Sequence, residues 1–527
     1  MRKNTAILML ISAFAMFFVS CENSNKKQYE VIPDGASVLV KANLGNVINE
    51  SEIMEVSMVR TALDFLVNTM PKESRDMFRE IITDPSKSGI NVDEPMVMSV
   101  AVYPAEVVVS MAMSDKNRFV EVFEAVADGT GVELVEENGI TKVDLGYAGN
   151  NELDVAFDSE VLVMVFSESG SADAGYYMTL DKGRQAVNND KYTDFFASLS
   201  DASAFLDFTS IMDAASNRRY MSKDEKALME MYASYDLSFL MDLDFEDGYS
   251  EVATKVFASD EYIKRIEACW MKPDGRFLGF VPYDAVGTLN IATDFGKACE
   301  AYPEYMQELL PMIQELGFTE EMLKSFAGDI MFAVLQPEKL GSQELPQMMF
   351  AVECKGRDAF DAFIALLADE DSSLVDNDVY ALGLNRYYDR SSGEFVSGGY
   401  DYYLMYKDDA IFVLPENIYS EVVVDGELKA LDRNITDNDC FAALEKPGFV
   451  GDFKAIVSLY KDMVTRISPD GKVVLNVLGI FENVEFVMEN ATETNFRINM
   501  VDKDANFLKQ IVDEVMAIAS SAVMGGF

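Results

Sequence analysis

Residues 31–44 read VIPDGASVLVKANL, and residues 280–291 read FVPYDAVGTLNI. Each runs from an apolar residue to a proline, through a turn, into a strand whose apolar positions alternate. The likeness continues downstream. SGINVDEPMVMSVAV (88–102) has a counterpart in FAGDIMFAV (326–334), SMAMSDKNRFVEVFEAV (110–126) in MFAVECKGRDAFDAFIALL (349–367), and LVEENGITKVDL (134–145) in LVDNDVYALGL (374–384). From Asp158 and Lys407 onward the match runs at a constant offset of 249 residues, pairing SEVLVMVF (159–166) with DDAIFVLP (408–415) and NNDKY (188–192) with DNDCF (437–441). Two strands and a helix close both series, at 236–266 and 483–511. So many elements in one order predict two copies of one unit, over residues 30–270 and 275–520, with 266–277 and the only tryptophan, Trp270, in the crossover between them.

Within each copy, stretches such as AEVVVSMAM (105–113) and SEVATKVF (250–257) alternate with period 2 and read as strands. MVRTALDFLVNTM (58–70) and CEAYPEYMQELLPMIQEL (299–316) carry apolar residues at helical spacing. Most neighbouring strands are joined by short turns, which favours antiparallel sheets with helices packed on one face. The expected fold class is α+β, in two tandem copies.

The 527 residues hold 90 acids against 43 basic side chains, a net charge of −47. Such an excess repels nucleic acid, so no nucleic-acid partner is expected. At 49% hydrophobic and 11% aromatic, the chain is equipped to bury large cores and is not an acidic disordered tail.

FAMFFVSCENSNKK (14–27) marks a border. Arg2 and Lys3 precede an apolar stretch whose centre, Ile7 to Val19, is 13 residues long, too short to cross a bilayer core of about 30 Å. This is the pattern of a secretory signal peptide over residues 1–20. Phe18-Val19-Ser20-Cys21 resembles the lipobox of bacterial lipoproteins, with Phe18 where leucine is usual. Cys21 is therefore expected to carry lipid, residues 21–29 to form a linker, and the membrane to be a partner through that anchor. Without its first 20 residues the chain would carry 41 − 90 = −49. IPDGASVLVKANLG (32–45), DPSKSGINVDEPMVMSV (84–100) and NNDKYTDFFASLSDASAFLDF (188–208) resemble a family of Bacteroidota cell-envelope lipoproteins catalogued as a domain of unknown function. That resemblance covers most of the chain beyond Cys21. It implies a cell-envelope lipoprotein and carries no catalytic residues with it. The outer membrane, facing the periplasm, is the expected location.

Chemistry is hard to find. With no histidine, the commonest general base and zinc ligand is missing, and no nucleophile elbow, Walker loop or dinucleotide fingerprint occurs, so no cofactor is expected. Ser458-Leu459-Tyr460-Lys461 fits S-x-x-K but lacks the motifs that accompany it in serine acyl enzymes, and reads as a polar helix face. The acidic runs MDLDFEDGYSE (241–251) and DEDSSLVDND (369–378) read as a strand with one wet face and a charged loop, not as calcium sites. Cys269, Cys299, Cys354 and Cys440 allow three pairings and read mostly as buried single thiols. Two functions remain: a non-catalytic binding or scaffold module for an envelope protein or glycan, and, as the alternative, a carboxylate-based hydrolase of envelope glycans.

The copies differ most within NRYYDRSSGEFVSGGYDYY (385–403). From Leu145 to Asp158 there are 158 − 145 = 13 steps, and from Leu384 to Lys407 there are 407 − 384 = 23, so the second copy carries about ten more residues. Ser391-Ser392-Gly393 is a turn former, which predicts an extended hairpin. Arg386, Tyr387, Tyr388, Arg390, Phe395 and Tyr403 are its candidate contact residues, because tyrosine and arginine bury much area while keeping polar edges. The competing expectation is that the rings cover the sheet of their own copy, burying Tyr400 and Tyr402.

Overall fold

The computed structural model describes residues 27–525 apart from 70–71, 73, 103–104, 128–131, 145–151, 217–221, 341–342, 368–372, 377, 383–385, 390, 398–401, 459–474 and 476. Residues 1–26, which include the expected signal peptide, Cys21 and most of the expected linker, lie outside the described residues. The chain forms two compact units, one of Met1–Ser259 with Lys503–Phe527 and one of Asp260–Asp502.

The described residues of the first unit form ten strands: β1 (Val38–Ala42), β2 (Met96–Val102), β3 (Ala105–Ala112), β4 (Glu133–Glu137), β5 (Ile140–Asp144), β6 (Leu153–Phe157), β7 (Val161–Ser167), β8 (Ala202–Asp207), β9 (Ser238–Glu246) and β10 (Tyr249–Phe257). All pair antiparallel, in the order β10-β9-β8-β1-β2-β3-β7-β6-β5-β4. The turns are locally encoded. Asn138-Gly139 between β4 and β5 takes φ of 54° and 84°, the left-handed pair that a two-residue hairpin demands. β7, VLVMVFS, is buried everywhere except at Phe166; it lies between β3 and β6 with both faces covered, which is why it does not alternate.

One face of this sheet presents Met111, Phe157, Leu162 and Met164 to the helix Lys116–Ala127, where the Phe119 and Phe157 rings meet edge-on at 4.9 Å. The other face presents Leu39, Val97 and Phe205 to Tyr29, Tyr192 and Phe195, carried by short helical turns. The longer helices therefore lie on one face, and the second face is closed by the short helices Lys27–Glu30 and Thr193–Ala197 and by 3-10 turns. Fully burying each such aromatic side chain stabilises the unit by about 1.5–3 kcal/mol.

The second unit contains β11 (Trp270–Met271), β12 (Gly287–Asp294), β13 (Phe326–Leu340), β14 (Gln343–Cys354), β15 (Ser373–Asp376), β16 (Val379–Leu382), β17 (Arg386–Asp389), β18 (Glu394–Ser397), β19 (Tyr402–Lys407), β20 (Ala410–Pro415), β21 (Val423–Val424), β22 (Glu427–Leu428), β23 (Gly448–Asp452), β24 (Phe481–Met488) and β25 (Glu493–Met500). Its main strands are antiparallel in the order β25-β24-β23-β12-β13-β14-β20-β19-β16-β15. Position for position this is the order in the first unit. Met331, Ala351 and Phe412 face Phe277 and Phe441 on one side, while Val352, Leu404 and Ile411 face Phe318 and Phe360 on the other.

Individual contacts recur at the same offset of 249 residues. Pro33 bridges Gln185, and Pro282 bridges Asn434. Ala186 N donates to Ile32 O, and Ile435 N donates to Val281 O, both at 2.9 Å. The buried Lys41 ammonium on β1 donates to Phe195 O at 2.8 Å; the buried Asn290 amide on β12 donates to Leu444 O at 3.1 Å.

Several elements depart from expectation. Residues 299–316 form two helices, Phe295–Ala301 and Pro303–Glu315, because the residue before a proline resists helical geometry while the proline itself suits a first turn. Trp270, within the expected crossover 266–277, is paired in β11 with Thr293 of β12. Part of 369–378 is the edge strand β15, with Leu374 and Val375 exposed. All four described cysteines are free thiols, with Cys299 and Cys354 buried and Cys269 and Cys440 half-buried.

Candidate functional site

The additional residues expected within 385–403 form a ribbon of their own. Among the described residues, β17 and β18 pair only with each other, matching Arg386 with Ser397, Tyr387 with Val396, Tyr388 with Phe395 and Asp389 with Glu394. Ser391, Ser392 and Gly393 make the turn, all three exposed, with Gly393 at φ 73°. Antiparallel register puts positions 386, 388, 395 and 397 on one face of the ribbon and 387, 389, 394 and 396 on the other. Arg390 and Tyr400 lie outside the described residues. Among the described residues of the first unit, no strand lies between β5 and β6.

Tyr403 sits at the base of the ribbon. Its ring is stacked on Tyr419 of the helix Glu416–Val422, with centroids 4.0 Å apart and planes 5° from parallel. Tyr402 points to the opposite face, where its hydroxyl accepts from Met348 N at 3.1 Å. Tyr402 and Tyr403, both half-buried on β19, thus make contacts within their own unit. Tyr419 was invisible as a partner because stacking across fifteen intervening positions leaves no periodic mark.

The best place to look for acid–base chemistry is in the first unit. Glu50 lies near the end of the helix Leu44–Ser51, one of its carboxylate oxygens sealed from solvent and without a hydrogen-bond partner. Burial, and then the charge of Asp201, pushes its carboxyl up to about 7, and Glu246 and Asp244 add to the effect. The neighbouring carboxylates are engaged in holding loops. Asp201 accepts from Asn46 Nδ2 at 3.1 Å and Phe245 N at 2.9 Å. Asp244 accepts from Ser200 Oγ at 3.0 Å and Asp201 N at 3.2 Å. These groups come together from residues 150–200 positions apart, which sequence spacing does not reveal.

A shallow cleft of about 760 Å³ in the second unit is lined by Asp260, Glu261, Lys264, Arg265, Lys297 and Glu300. Its cations are largely matched by acids: Arg265 pairs with Glu261 at 2.8 Å and Lys297 with Asp294 at 3.8 Å. Of the S-x-x-K stretch only Ser458 is described. Among the described residues, no group of three or more acidic or cysteine side chains is placed to hold a metal ion, and no helix is long and apolar enough to cross a membrane.

Fold and geometry define a mixed α+β protein with antiparallel sheets, in which the described residues gather no group of three metal-ligating side chains. The chain belongs to the family described as a domain of unknown function, DUF4836, whose model matches residues 29–438. No curated protein matches it. Among solved structures, crystal form IV of TP0453 is 12% identical, covering 43% of this chain and 79% of that one, with a TM-score of 0.27. Crystal form III of TP0453 is 13% identical, covering 46% and 86%, with a TM-score of 0.26. Likeness at this level carries no argument.

Proposed function

We propose that this chain is a non-catalytic binding or scaffold protein of the bacterial cell envelope. In this reading it is exported by its first 20 residues, held by lipid at Cys21 on the periplasmic side of the outer membrane, and built as two tandem copies of one α+β unit. The shared strand order and the recurring hydrogen bonds support the duplication. The lipobox-like start supports the anchor, and the likeness to Bacteroidota lipoproteins supports the location.

The observation that carries the binding role is the β17–β18 ribbon, an addition to one copy that pairs with no other strand among the described residues. An addition that the shared fold does not need, written with Arg386, Tyr387, Tyr388 and Phe395, has the composition of a contact surface. The ligand class that fits is an envelope protein or an envelope glycan, on whose faces tyrosine rings stack. A photo-cross-linking residue at position 388 tests this in cells. It should trap one envelope component repeatedly, and a residue at exposed Lys182 should trap none; equal trapping at both sites refutes the role.

The hydrolase alternative finds its nearest support in Glu50 and Asp201; the main-chain donors Phe245 N and Asp201 N on the Asp201 and Asp244 carboxylates favour loop anchoring instead.

A further inference from the structure

The closing helix of each sequence copy packs in the unit formed by the other copy. Helix Asp260–Cys269 follows β10 of the first copy, yet it belongs to the second unit and lies against helix Phe295–Ala301. There Tyr262 meets Tyr302 edge-on at 6.3 Å, and the Thr293 hydroxyl donates to Cys269 O at 3.3 Å. Helix Phe507–Gly525 follows β25 of the second copy, yet it belongs to the first unit and lies against helix Leu44–Ser51. Phe507 stacks on Phe245 at 6.0 Å, Lys509 forms an ion pair with Glu52, and Asn506 Nδ2 donates to Phe245 O at 2.8 Å.

The exchange is reciprocal. The receiving helices, Leu44–Ser51 and Phe295–Ala301, stand in the same place, directly after β1 and β12. The fit on the first unit is close at main-chain level. Gly248 N donates to Ala505 O at 2.9 Å, and a Cβ at Gly248 would come within 2.7 Å of Lys503 Cα.

We infer that the two copies are obligate partners, each presenting a docking surface whose occupant is the terminal helix of a second copy of the same unit. The inference rests on reading the chain as a duplication. Its consequence is that the covalent link between the copies is dispensable once the chain has folded, because each half holds an element of the other.

The test uses the full mature chain with a protease site inserted between Lys272 and Pro273, cut after folding. The two halves should run as a single 1:1 species in size exclusion at about 1 μM, and should part only on denaturation. Phe507→Ala with Lys509→Glu should leave the uncut chain folded by circular dichroism, while the cut halves dissociate at about tenfold higher concentration, the loss expected for a truncated aromatic anchor. Tyr262→Ala should act in the same direction from the other helix. Halves that part after cutting in the unsubstituted chain overturn the inference, and so do substituted halves that hold together as tightly as the original. Either failure leaves the common strand order untouched, so the duplication reading would be judged separately.

Discussion

Glu50→Gln is a perturbation whose sign follows from the structure. Glu50 faces Asp201 from the loop before β8, Asp244 and Glu246 on β9, and Asn506 from the C-terminal segment, and its carboxyl is pushed from its ordinary 4.5 up to about 7, first by burial and then by Asp201. A folded state that holds a proton more tightly than the unfolded chain is favoured while that proton stays on. The stability so contributed is complete below pH 4.5 and is lost as pH rises through about 7. At 1.36 kcal/mol per pKa unit the whole span is worth about 3 kcal/mol; partial exposure of the side chain reduces this to about 1–2 kcal/mol. Glutamine keeps the shape of the protonated acid and never ionises. Melting of both proteins by circular dichroism at fixed ionic strength should give equal midpoints near pH 4.5 and a gap in favour of Glu50→Gln of about 2–6 °C by pH 8. A gap that is constant across this range, or that closes as pH rises, refutes the placement of Glu50 among buried acids.

Three further outcomes follow from single contacts. Lys41→Ala removes the ammonium that donates to Phe195 O and Ser198 O and should cost about 2–3 kcal/mol in urea melts, whereas Lys41→Asn, the residue that Asn290 supplies at the corresponding place, should recover at least half of that loss. Phe412→Ala empties a fully buried site where the ring meets Phe277 and Phe280 edge-on, and should cost about 3–5 kcal/mol by the same measurement. Cys21→Ser should abolish labelling by a fatty-acid analogue and release the protein from the membrane fraction; retention of both would remove the anchor from the account.

The strands were legible because their signals are local. Alternation in VLVKA, the unbroken apolar run of β7 and the Asn138-Gly139 turn each depend on a few neighbouring residues. The common strand order of the two units was legible because corresponding elements keep their type even where identity is low. The destination of the closing helices was not, since an amphipathic face specifies that a helix must pack but not which sheet receives it. That is why the sequence copies, 30–270 and 275–520, and the compact units divide the chain at different points. The ribbon was legible as a length difference, and its Ser391-Ser392-Gly393 turn as composition. The stacking of Tyr403 on Tyr419 and the gathering of Asp201 and Asp244 about Glu50 were not, because they join residues through the fold rather than through spacing.

The central claim, that the β17–β18 ribbon is a contact surface rather than part of the core, is tested most directly by replacing residues 387–396 with a short turn and measuring two quantities on the same protein. With the envelope component trapped at position 388 as ligand, the account predicts that binding falls at least tenfold while the melting midpoint moves by less than about 2 °C, because β17 and β18 pair only with each other. Binding that survives the replacement, or a midpoint that drops by more than about 5 °C, would contradict it.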